Sequence, residues 1–254
     1  MNIRRRPVTG ALLAAATLLT LMAGSCGASA DLAIRADRSA LVSVRAEIPA
    51  AVESRIRQFI ASGAARGAAS GAASAQPLFN ANAVSASMRD RGVSVVESAA
   101  SGSRSYRGVF RVADLDGLSA RDPELAGVLE YRHGPGWASL QMRLRRGNAA
   151  ALAHLFPGID QDLLEALQPP ALYDNPVSVT EYRSMLAGLL GTTAVQAIDG
   201  MTIALAIRTP GPIIESNGVT RQASDRSAAD FSVRAIDALV LEAPVEFFVR
   251  WQEP

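Results

Sequence analysis

Period-two alternation, paired off by short turn clusters, is the strongest constraint this sequence places on its fold. Leu32, Ile34 and Ala36 share one face of an extended run. Leu41 or Val42, Val44, Ala46 and Ile48 repeat the pattern on the return, with Asp37-Arg38-Ser39 between them as the turn. The same arrangement recurs in Val93–Ala99 and Tyr106–Val112 around Ser101-Gly102-Ser103. It recurs again in Gly127–Arg132 and Trp137–Arg145 around His133-Gly134-Pro135-Gly136. In the last of these strands Leu140, Met142 and Leu144 alternate with Gln141, Arg143 and Arg145, so one face turns inward and one meets water. Further strands are expected at Met201–Arg208, Phe231–Ala235 and Val245–Trp251.

Helical spacing interrupts these hairpins. Pro49 suits the first turn of a helix carrying Val52, Ile56, Phe59 and Ile60 on one side, with Glu53 and Arg57 placed for an i, i+4 ion pair. A short helix is expected over Asn82–Arg91. From 149 to 191 the period changes to 3.6. Ala149–Phe156 and Ile159–Leu167 form short helical runs, the second with Ile159, Leu163, Leu164 and Leu167 along one face. The capping box Ser178-Val179-Thr180-Glu181 then opens a helix bearing Tyr182, Met185, Leu186, Leu189 and Leu190. Residues 62–77, almost all Ala, Gly and Ser, supply no large apolar group to a core and are expected to be a flexible loop. Together these patterns predict an α+β fold: a mainly antiparallel sheet built from hairpins, with the helical block 149–191 packed on one face, in a single domain over 26–254.

The N-terminus has the three parts of an export signal. Arg4, Arg5 and Arg6 precede an apolar run from Gly10 to Met22, and Ala23-Gly24-Ser25 leads into Cys26, the one cysteine of the chain. The run is shorter than the roughly 18 to 20 residues that a stable bilayer-spanning helix needs. Small residues directly before a cysteine resemble a bacterial lipobox, which implies a signal peptide over 1–25 and an acylated Cys26 as the mature N-terminus. The competing site is Ala28-Ser29-Ala30, an A-x-A sequence that an ordinary signal peptidase cuts before Asp31. Cleavage before Cys26 removes three Arg and takes the net charge from +1 to −2.

Cys26, the hairpin Asp31–Pro49 and the stretch Thr209-Pro210-Gly211-Pro212-Ile213-Ile214-Glu215-Ser216-Asn217-Gly218 resemble the LppM-type lipoproteins of mycobacteria and related bacterial lipoproteins. The resemblance implies a β-rich export-side domain with a lipid or glycolipid ligand and no catalytic residues. The block 149–191 is additional to that pattern. Read physically, Pro210 and Pro212 remove ladder donors and Asn217-Gly218 marks a tight turn.

Chemistry is sparse. The basic residues are all Arg, which excludes Lys-dependent Schiff-base and phosphate-loop sites, and the near-neutral balance excludes a basic nucleic-acid-binding surface. One cysteine and two distant histidines, His133 and His154, give no metal site, and the pairs Asp114/Asp116 and Asp160/Asp162 lack calcium-loop spacing. Neither a catalytic residue nor a cofactor is expected. The expected role is that of a non-enzymatic lipoprotein of the cell envelope, anchored to a membrane by acylated Cys26. It would bind a lipid or other amphiphile in an apolar cleft lined by Leu163, Leu167, Tyr182, Met185, Leu186 and Leu189. The alternative is an envelope scaffold that binds another envelope protein; Trp137 and Trp251 are either its anchors or core residues, with core the preferred reading.

Overall fold

The computed structural model describes residues 27–61, 77–121, 123–149, 168–172, 176–220 and 226–253. The first hairpin is present, and its leading strand starts four residues earlier than the alternation suggested. Strand β1 spans Gly27–Ile34 and β2 spans Ala40–Glu47, paired antiparallel with Ala28 opposite Ala46 and Ile34 opposite Ala40. Helix α1 follows at Ala50–Ala61 and α2 at Ala81–Asp90, whose N-cap Asn80 accepts the Ala83 N–H at 3.0 Å. Hairpin β3 (Ser94–Ser101) and β4 (Ser105–Val112) comes next, followed by α3 (Leu115–Arg121) and α4 (Pro123–Ala126). The third hairpin joins β5 (Leu129–Gly134) to β6 (Trp137–Leu144).

The expected helical runs of 150–167, the loop of 62–76 and Cys26 lie outside the described residues. Beyond them, α5 (Val179–Leu190) and α6 (Thr192–Asp199) meet at Gly191. The chain then returns to strands: β7 (Thr202–Arg208), β8 (Ile213–Ser216), β9 (Val219–Thr220) and β10 (Ala228–Arg234). Helix α7 (Ala235–Val240) and β11 (Val245–Gln252) follow. The expected strand Phe231–Ala235 is therefore shifted, because Ala235 already opens α7. Helical structure also continues past Gly191, which ends one helix only to begin another.

The α+β class and the antiparallel hairpins hold, and the strands divide into two sheets. The larger has the order β3-β4-β2-β1-β7-β10-β9 and the smaller β5-β6-β11-β8. One pairing is parallel: β1 lies beside β7 with Gly27 opposite Thr202 and Ala33 opposite Arg208. Their inward faces meet in one core. Ile34, Tyr106, Phe110, Leu205, Ile207 and Phe231 come from the larger sheet, and Tyr131, Leu140, Val249 and Trp251 from the smaller. These alternate residues along each strand are what the period-two pattern selects.

The connection from β7 to β8 changes sheets through Thr209-Pro210-Gly211-Pro212. Thr209 is buried there, and its hydroxyl donates to the carbonyls of Gly211 at 2.7 Å and Ser227 at 3.1 Å. Asn217 acts as a strand substitute: its amide donates to Glu246 O at 3.0 Å while its Oδ1 accepts the Phe248 N–H at 2.8 Å. Gly218 follows because a Cβ there would stand 2.8 Å from Asp230 O and 2.5 Å from the Phe231 ring. The turn reading of Asn217-Gly218 thus accounts for both residues.

A second cluster is helical. Val52 and Ile56 of α1, Tyr182, Leu186 and Leu190 of α5, Ala194, Val195 and Ile198 of α6, and Ile236 and Val240 of α7 are packed together, with Ile48 and Met201 against them. Because Ile48 follows β2, Met201 precedes β7 and Ala235 follows β10 directly, this helical layer sits at the end of the larger sheet where β1 begins. Glu53 and Arg57 make the expected pair at 2.9 Å, and the Ser103 hydroxyl, then Arg57, hold the Glu53 carboxyl below its ordinary range.

Gly108 in β4 lies against side chains of the core between the two sheets. A Cβ there would lie 2.6 Å from the Phe110 ring and 2.7 Å from the Tyr106 hydroxyl. Gly108→Ala is expected to lower unfolding stability by about 1 to 3 kcal/mol through overpacking, read as a lower urea midpoint at unchanged slope.

Candidate functional site

Four of the residues expected to line an apolar cleft lie on α5 among the described residues, and the helix is firmly held. Glu181 N–H donates to Ser178 Oγ at 3.2 Å, and the Glu181 carboxylate accepts the Ser178 N–H at 2.8 Å, so the capping box is complete. The Ser178 backbone and then its hydroxyl keep that carboxyl below the ordinary range. The Val179 N–H is taken by Glu242 Oε2 at 3.0 Å, and Arg183 Nε donates to Asp199 Oδ1 at 2.8 Å, tying α5 to the far end of α6.

The four residues separate into two pairs. Tyr182 and Leu186 are fully buried in the helical cluster, where burial drives the Tyr182 phenol far above its ordinary range. Met185 and Leu189 are 36% and 44% exposed and belong to neither packed cluster. The apolar stripe on α5 is therefore wider than the surface that covers it: 182, 186 and 190 face the interior and 185 and 189 form its open flank. Leu163 and Leu167 lie outside the described residues.

Residues that the sequence treats as unrelated meet at the opposite end of the larger sheet. The β1–β2 turn closes with Arg38 N–H donating to Arg35 O at 3.0 Å, and Asp37 Oδ1 accepts the Ser39 N–H at 3.0 Å and hydroxyl at 2.6 Å. Those bonds, the hydroxyl first, hold the Asp37 carboxyl below its usual range. Arg38 itself has φ 63°, and this left-handed position directs its side chain toward α3 and β5. Its Nη1 lies 3.2 Å from Asp116 Oδ2 and 3.1 Å from His133 Nε2, and its Nε is 3.9 Å from Glu253 Oε1. His133 Nε2 is also 3.2 Å from Asp116 Oδ2. One ring nitrogen serves one of these neighbours at a time. Unprotonated, it accepts from Arg38; protonated, it donates to Asp116.

The cluster fastens the larger sheet, α3 and the smaller sheet across their shared edge. Asp114 does different work, capping α3 by accepting the N–H groups of Asp116 and Gly117 at 3.2 and 3.1 Å. Tyr131 stands behind the cluster, its phenol pushed up to about 12, first by burial and then by the charge of Glu253. A carboxylate, an imidazole and a guanidinium are present, and the ion pairs account for all three. Among the described residues no group of three or more His, Cys, Asp or Glu is placed to hold a metal.

The two tryptophans are both engaged. Trp251 is fully buried against Tyr131, with ring centroids 6.1 Å apart, and its Nε1 has no hydrogen-bond partner. Trp137 lies beneath the Arg250 guanidinium at 4.5 Å. Trp251 is therefore a core residue, and Trp137 is half-buried. Exposed large apolar side chains on the strands are Val96, Ile214 and Val219.

No family model matches the chain, and no curated protein matches its sequence. Among solved structures, the NMR structure of the folded domain of the Mycobacterium tuberculosis LppM protein is similar at 12% identity with a TM-score of 0.38. The alignment covers 90% of this chain and 91% of that one. No residue role is carried over from it.

Two outcomes check this division. Leu186→Ala is expected to cost about 2 to 5 kcal/mol of stability by opening a cavity, while Leu189→Ala, on the open flank, stays within about 0.5 kcal/mol, both read by urea unfolding. For Tyr131 the folded-state pKa lies above that of the free phenol. Its contribution to stability is therefore complete below pH 10 and is lost as the pH rises from 10 to about 12. Tyr131→Phe is expected to shallow the alkaline loss of stability across that window.

Proposed function

We propose that this chain is a non-enzymatic bacterial lipoprotein, anchored on the export side of a membrane by acylated Cys26, whose helical layer engages a lipid or other amphiphile. The observation that carries the anchoring is the start of β1. Gly27, Ala28, Ser29 and Ala30 are strand residues, paired on one side with Thr202–Leu205, and Ala28–Ala30 on the other with Ala46–Val44. Cutting before Asp31 would remove half of an interior strand and leave unpaired backbone groups on both neighbours, a loss that ladder hydrogen bonding penalises. Cutting before Cys26 leaves the strand whole. Among the described residues no helix is long and apolar enough to cross a membrane. On this reading attachment falls to the acyl chains, and two or more chains hold a protein firmly where one does not.

The amphiphile-binding role is supported by Met185 and Leu189, apolar, exposed and adjacent on a helix whose other face is firmly packed.

Mass spectrometry of the membrane-derived protein is expected to find an N-terminal peptide beginning at acylated Cys26, and Cys26→Ala is expected to move the chain from the detergent phase to the aqueous phase. An N-terminus at Asp31, or unchanged partitioning of the variant, overturns the anchoring. Native mass spectrometry of the extracted wild type reads amphiphile carriage directly.

A further inference from the structure

Resting on the anchoring just proposed, the position of β1 fixes which surface of the domain meets the membrane. Gly27 is already buried and in register, and a Cβ there would stand 2.1 Å from Thr202 O. Cys26 is one Cα–Cα step, about 3.8 Å, before it. With a single peptide link between Gly27 and an acylated residue, an anchored domain would have little freedom to turn away from the membrane.

That end of the larger sheet is the one occupied by the helical layer. The two strands beside β1 run straight into it: β2 continues through Ile48 and Pro49 to α1, and β7 is entered from α6 through Gly200 and Met201. Part of this layer is free of charge: from Ser184 to Ile198 the sequence has no charged residue, between Arg183 and Asp199. The exposed positions in that run are Ser184, Met185, Gly188, Leu189, Thr192, Thr193 and Gln196, apolar or small and neutral. At its border stands exposed Arg55, whose Nε is 3.9 Å from the position a Gly191 Cβ would take. Its Nη1 donates to Gln58 at 2.9 Å.

We propose that the α5–α6 surface bearing Met185 and Leu189, with Arg55 at its edge, lies in the interface of the bilayer that holds Cys26. Apolar side chains flanked by neutral hydroxyls suit the boundary between headgroups and acyl chains, and a bordering guanidinium suits headgroup phosphate. The occupant of the open flank of α5 is then the membrane itself. The Arg38–Asp116–His133 cluster is carried to the far end of β1, about 26 Å away for eight strand residues.

The lone cysteine makes the test specific, since acylation leaves the chain without a free thiol. Leu189→Cys, Ser184→Cys and Ala36→Cys, the last in the β1–β2 turn, are made in the full-length chain and labelled with an environment-sensitive nitrobenzoxadiazole dye. Each is then reconstituted in phosphatidylethanolamine–phosphatidylglycerol vesicles containing a lipid with a nitroxide high on its acyl chain. With the α5 surface seated at the acyl boundary, the label at 189 or 184 is expected to lose roughly half its emission while the label at 36 keeps its own. Equal, weak quenching at 184, 189 and 36 in protein that floats with the vesicles overturns the orientation and leaves the anchoring intact. Protein that fails to float, or Cys26 that itself reacts with the dye, overturns the anchoring and the orientation with it.

Discussion

Everything in the larger sheet depends on β1 being held between two partners of opposite sense. Antiparallel β2 comes from the adjacent hairpin and forms locally. Parallel β7 comes from the last third of the chain. The parallel contact makes one sheet of the N-terminal hairpins and the C-terminal strands, since among the described residues β1 stands between β2 and β7 in the strand order. A parallel pair needs a long crossover, and here the chain between β1 and β7 holds β2, the hairpins β3–β4 and β5–β6, and helices α1 to α6.

The two ends of that sheet differ in chemistry as a result. At the β1–β2 turn the chain reverses tightly, and backbone strain at Arg38 is offset by an ion-pair cluster that reaches the smaller sheet. Pairs this exposed contribute little each, about 0 to 1 kcal/mol, so their value lies in fixing where the sheets meet. At the other end the strands open into helices, where Ile56, Tyr182, Leu186 and Ile236 pack together and pairs such as Arg183–Asp199 and Glu53–Arg57 fasten the rim. The strands between the two ends carry the shared core.

Much of this was legible where the pattern is local. Hairpins appear as alternation around a turn cluster, and α5 appears as a capping box followed by a 3.6-residue repeat; all were found within a few residues of their observed limits. Helices α3, α4, α6 and α7 carry no such mark. Gly191, with φ 84°, correctly marks the end of α5 but also serves as the start of α6, while α7 has six residues, too few for periodicity to register. The division into two sheets was not readable, because alternation looks the same whichever sheet a strand joins. The Arg38 cluster unites residues 78 and 95 positions apart, a proximity made by the fold alone. Met185 and Leu189 were seen as part of an apolar stripe; which edge of a stripe remains uncovered depends on neighbours that a helical repeat does not name.

The placement of β1 also bears on how the chain acquires its structure. A chain made from its N-terminus delivers β1 first, yet the strand's second partner is among the later segments to arrive. Until then the edge of β1 that β7 will cover presents an open row of peptide groups, the state in which strands pair with the wrong neighbour. Closing so long a loop is slow, and sheets completed by such distant contacts fold slowly as a class. The segment made first is thus the one that waits longest for its second partner.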